Sequence, residues 1–131
     1  MLDFAQGYQA YQHTSVNVKA SGADIHSLVQ MLFDGFLDEL ARVEGHMQAR
    51  RFDKKAVGME KLLKILGGLD ASLDLEKGGE VALNMHRLYE FCGHNLLKAS
   101  LKNDLAELAK IRTVMTDLQQ GWQGLLSRQA G

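Results

Sequence analysis

The chain has 131 residues, with 16 acids against 15 Lys and Arg. That length suits one domain, 1–131, and so even a balance gives no case for nucleic acid or an anionic membrane. The single cysteine, Cys92, excludes an intramolecular disulfide framework and suits a reducing cytoplasm. No run of roughly 18 apolar residues exists to span a bilayer, and the N-terminus lacks a basic-then-apolar signal, so a soluble cytoplasmic protein is expected.

Proline is absent and β-branched residues are sparse, which argues for an all-α fold. Residues 1–20 carry only Asp3 and Lys19 as charges, with Phe4, Tyr8 and Tyr11 set among Gln6, Gln9 and Gln12. Such an arm cannot build its own core and is expected to dock elsewhere or stay mobile. The bundle itself is placed at 21–127. Ser21 caps the first long helix with Asp24 three residues on, and the helix is expected to end near Arg50. Its apolar positions, 25, 28, 29, 32, 33, 36, 37, 40, 43 and 47, form a broad stripe of period 3.6. Asp53 is the expected cap of the second helix, and Leu62, Leu63, Leu66, Leu69 and Leu73 carry its stripe straight through Gly67-Gly68. The break is expected at Gly78-Gly79, with Glu80 opening the third helix where the dipole favours an acid. Val81, Met85, Leu88, Tyr89, Cys92, Leu96 and Leu97 would share one face of it. Asn103 is read as the cap of the last helix, whose Leu108, Ile111, Met115, Leu118, Trp122 and Leu125 form a seam of alternating threes and fours. Four long helices on short connections predict an antiparallel up-down-up-down four-helix bundle with a short N-terminal arm or helix.

Chemistry is sparse. None of the five histidines has a glutamate three residues before it, so the di-iron pattern of helical bundles is missing. Cys92 and His94 lie about 200° apart on a helix and cannot share a metal locally. No nucleophile elbow, phosphate loop or zinc spacing occurs, and Cys92 on the apolar stripe reads as core. Neither a cofactor nor an enzyme activity is expected. The glycines inside helical segments suit close packing and tolerated surface sites, or else softened helices that admit a partner backbone. Arg50, Arg51, Lys54 and Lys55 read as a solvated corner or as a docking surface for an acidic partner. The stripe from Ile25 to Met47 is wide enough to be plain core or to leave an apolar groove for an amphipathic helix or extended peptide.

Several segments, in order, resemble one family. Leu75-Glu76-Lys77-Gly78-Gly79-Glu80 leading to Asn84-Met85-His86, the arm Tyr8-Gln9-Ala10-Tyr11-Gln12, the stretch Met31-Leu32-Phe33-Asp34-Gly35, and Lys102-Asn103-Asp104 are similar to the bacterial flagellin export chaperones (flagellar protein S). Gly22 and Phe33 depart from it, standing where many members have proline and tyrosine. The resemblance implies a helical bundle that binds the disordered C-terminal segment of flagellin in apolar grooves, blocks premature polymerisation and presents the cargo to the flagellar export apparatus. On that footing Tyr8, Tyr11 and Gln12 are expected in a gating arm, and Leu32, Phe33, Gly35, Asn84, Met85 and Leu88 at the cargo. The alternative is a non-catalytic regulatory bundle whose wide stripes serve a homodimer.

Overall fold

The computed structural model describes residues 23–130, with side chains from Ile25 to Gly124. The Ser21 cap, the arm with Tyr8, Tyr11 and Gln12, and the Leu125 side chain lie outside the described residues. Within them the architecture is α1 (Ala23–Gln48), α2 (Phe52–Ala71), α3 (Leu75–Lys102) and α4 (Leu105–Ala130). Each helix packs on the next in sequence and α4 returns to α1. This is the expected all-α antiparallel bundle. No helix among the described residues is long and apolar enough to cross a membrane.

The broad stripe of α1 is consumed by its two neighbours. Leu28, Val29, Leu32, Phe33, Phe36, Leu40, Val43 and Met47 are all buried, while Ile25 and Leu37 are half-buried against the same core. A helix wedged between α2 and α4 needs apolar surface over a wide arc, and that need explains the width of the stripe. Leu62, Ile65, Leu69, Cys92, Leu96, Leu108, Ile111 and Met115 complete the interior. Polar ties hold the seams. Glu39, buried on α1, takes Arg42 Nε at 2.7 Å and Lys61 Nζ of α2 at 3.7 Å, and Arg112 of α4 pairs with Glu44 of α1.

Three corners and one helix face differ from the sequence reading. The second helix starts at Phe52, with Arg51 in the cap position and no side-chain cap. Asp53 therefore sits inside the first turn, where its charge still suits the dipole. Asn103 does not cap α4; it ends α3 in the left-handed region (φ 53) with the paired Asp104 N–H to Ala99 and Asn103 N–H to Ser100 bonds of a Schellman close. Asp104 is the cap of α4, its carboxylate accepting from the Glu107 N–H at 3.1 Å. The α2–α3 break also falls earlier than Gly78-Gly79. α2 stops at Ala71, Asp74 caps a fresh turn by accepting from the Lys77 N–H at 3.0 Å, and Gly79 is a kink within α3 (φ 56, ψ −134). The two glycines have separate reasons. A Cβ at Gly78 would come within 2.6 Å of the Ala82 Cβ, and Gly79 occupies a backbone region that other residues avoid. Lastly, Val81 and Leu97 do not share the buried face of α3: they are 74% and 48% exposed.

Candidate functional site

An apolar groove of about 600 Å³ opens at the end of the bundle where α1 begins and α4 finishes. Ile25, Val29 and Phe33 of α1 contribute to it, together with Leu118 and Trp122 of α4. From the other side come Val81, Ala82, Met85 and Tyr89 of α3 and Leu73 of the corner. The groove lies where α1, α3 and α4 converge. Its α3 side is set by the Asp74 cap and the Gly79 kink. The Gly67-Gly68 pair is intrahelical, as its stripe predicted.

Few polar groups face this space. Asp74 and Asp117 supply carboxylates at its edge, and the Ser72 hydroxyl is committed to the Leu69 carbonyl at 2.6 Å. Trp122 Nε1–H donates to the His26 carbonyl at 2.9 Å, and the two rings stand 5.1 Å apart at 56°. Burial, with the nearby Asp70 charge, pushes the Tyr89 phenol upward, so it stays neutral at any ordinary pH. Behind the wall, His86 Nδ1 meets Asp70 at 2.6 Å and its Nε2 meets Glu90 at 2.6 Å. The Asp70 hydrogen bond, aided by both carboxylate charges, raises the imidazole pKa against the opposing effects of burial and Arg87. Nothing lining the groove pairs a nucleophile with a base. Among the described residues no cluster of three His, Cys, Asp or Glu could hold a metal. What the groove can do is shelter apolar side chains from water.

The structure brings together two of the expected cargo residues, Phe33 and Met85. Leu32 is 1% exposed within the core. Gly35 is half-buried facing α2, where an added Cβ would touch Ile65 Cδ1 at 4.0 Å. Asn84 is exposed and Leu88 half-buried, and neither lines the groove. Sequence reasoning missed the parts played by His26, Leu73 and Trp122. The signal available was their position: His26 near the start of α1, Leu73 in the α2–α3 corner and Trp122 in the second half of α4 are brought to one end by an antiparallel bundle.

The sequence profile described as Flagellar protein FliS matches residues 5–129. The chain belongs to the FliS family of flagellar secretion chaperones. It is 36% identical to the Flagellar secretion chaperone FliSB of Pseudomonas aeruginosa over 115 residues, covering 88% of this chain and 91% of that protein. It is 33% identical to the Flagellar secretion chaperone FliS of Salmonella typhimurium over 120 residues (91% and 89% covered). To the FliS of Escherichia coli it is 35% identical over 125 residues (94% and 92%). The family is the one that the double-glycine corner and the Met-Leu-Phe-Asp-Gly stretch resemble.

Proposed function

We propose that the protein is a cytoplasmic, non-catalytic export chaperone that holds the disordered C-terminal segment of flagellin in the groove where α1, α3 and α4 converge. By occupying that segment it prevents premature polymerisation and delivers the cargo to the flagellar export apparatus. The observation that carries this reading is an apolar space of about 600 Å³ with so few polar groups at its edge. A chain segment that is disordered alone must offset its ordering entropy on binding, and a broad apolar surface supplies that through area. Phe33 and Met85, with Trp122, are the residues we assign to cargo contact. In this reading residues 1–20 form a gating arm that acts through Tyr8, Tyr11 and Gln12, and residues 21–127 form the single chaperone domain.

Calorimetric titration with a peptide from the flagellin C-terminus tests the proposal. Saturable binding with a negative heat-capacity change is expected, weakened at least about tenfold by Met85→Glu, which sets an unpaired carboxylate among apolar groups. Tyr8→Ala with Tyr11→Ala changes the affinity while the melting temperature stays within a few degrees. A chain that sediments as a tight dimer indifferent to the peptide would overturn the reading in favour of a homodimerising regulatory bundle.

A further inference from the structure

The opposite end of the bundle carries a different kind of surface. α1 ends at Gln48, and Phe33 is the last of its residues to line the groove, so at roughly 1.5 Å per residue this end lies about 20–25 Å beyond the groove. Arg50, Arg51, Lys54 and Lys55 come from the α1–α2 corner, and Lys98 and Lys102 from the last turns of α3. Lys55 joins the two sets. Its Nζ donates to the Ser100 carbonyl at 2.9 Å and lies 5.0 Å from the centre of the Phe52 ring, which Arg50 also covers at 5.4 Å.

None of these cations has a carboxylate partner among the described residues, whereas Arg42, Lys61, Lys110 and Arg112 along the flanks each have one. Nearby acids are few or committed. Asp53 is the exposed one, Asp104 caps α4, and Glu107 pairs with Lys110 at 3.6 Å. Helix dipoles account for only part of the pattern. Arg50 and Lys102 stand at C-termini, where cations are favoured, but Lys54 and Lys55 crowd the N-terminus of α2, where they are disfavoured. Large apolar side chains are exposed within the same surface: Phe52 is 44% and Leu101 88% exposed.

We propose that this end is a second docking surface, for an acidic protein segment that carries an apolar anchor. Three of the cations have side-chain partners that orient them: Arg51 Nε donates to His46 Nδ1 at 3.1 Å, and Arg50 and Lys55 lie over the Phe52 ring. Oriented cations suit carboxylates at set positions on a polypeptide. Nucleic acid would need a longer basic track than one bundle end, on a chain whose net charge is −1. The groove and this surface are far enough apart to be occupied together.

The test uses the full chain and fluorescence anisotropy with a labelled synthetic peptide of glutamates interspersed with leucine and phenylalanine. Its controls are the lysine-for-glutamate counterpart, labelled single-stranded DNA, and phosphatidylglycerol vesicles in a sedimentation arm. Saturable binding of the acidic peptide alone is expected, weakening as salt rises. Lys54→Glu with Lys98→Glu, both exposed and unpaired, lowers that affinity about tenfold, and Leu101→Ala lowers it further. The same variants bind a flagellin C-terminal peptide as the parent does, which separates this surface from the groove. Failure of the acidic peptide to saturate, equal binding by the charge-reversed chain, or binding to vesicles or DNA but not to peptide would overturn the proposal.

Discussion

The Trp122 indole N–H donates to the main-chain carbonyl of His26 across 2.9 Å, tying the last part of α4 to the first turns of α1. The bond stands beside the groove, so it both steadies the end of the bundle and shapes the site. Trp122→Phe removes the donor and keeps an aromatic ring, and should lower unfolding free energy by about 1 kcal/mol. Trp122→Ala also loses ring packing and should cost about 2–4 kcal/mol, somewhat less than for a fully buried aromatic. Urea denaturation followed by circular dichroism checks both.

At Gly58, α2 packs tightly against Val43 of α1. A Cβ there would meet Val43 Cγ2 at 2.5 Å, and Val43 is a stiff, fully buried β-branched side chain. Gly58→Ala should therefore destabilise by about 1–3 kcal/mol despite alanine's better helix propensity. Adding Val43→Ala should recover part of that loss, which a double-mutant cycle measures.

Gly67 and Gly121 lie within helices with nothing near their missing Cβ atoms. Alanine at either position should stabilise the fold by about 0.4–1 kcal/mol, chiefly by restricting the unfolded chain. Gly79→Ala should do the opposite, by about 1–3 kcal/mol, because its φ of 56° is a conformation that side chains resist. Thermal melts of the three variants side by side make the comparison.

His86 bonds a carboxylate through each ring nitrogen, and both nitrogens can donate only in the imidazolium form. Its pKa is raised in the folded state. The stabilisation it supplies is fully present below the ordinary histidine value near 6.5 and fades as pH rises through the elevated folded value. Subtracting the stability–pH curve of His86→Gln should leave that profile, and the histidine proton resonances should titrate above 6.5. A difference that grows with pH instead would contradict the pairing.

Cys92 is fully buried, and burial pushes its thiol up to about 11. It should react with a thiol-specific disulfide reagent at pH 8 far more slowly in the native protein than in urea.

Much of this was readable from residue order. Period 3.6 over Ile25–Met47 and the threes and fours of Leu108–Trp122 identified helices and their buried sides, since those patterns belong to single helices. Corners were less legible. At Asn103-Asp104 two adjacent residues both favour helix ends, and only the backbone shows that Asn103 closes one helix while Asp104 opens the next. At Gly78-Gly79 the sequence signals a bend, but Asp74, four residues earlier, takes the true cap.

Residue order alone determined the helical class, the succession of helices and the FliS family, because periodicity and local wording are properties of the chain itself. Tertiary structure decided which apolar residues border the groove. Leu32 and Phe33 are neighbours in one stripe and equally buried, yet only Phe33 lines the groove. Val81 and Leu97 fit the apolar pattern of α3 and are nonetheless exposed. A groove is made by how separate helices meet, here α1, α3 and α4 beside the kink at Gly79, and no pattern within one helix encodes that meeting.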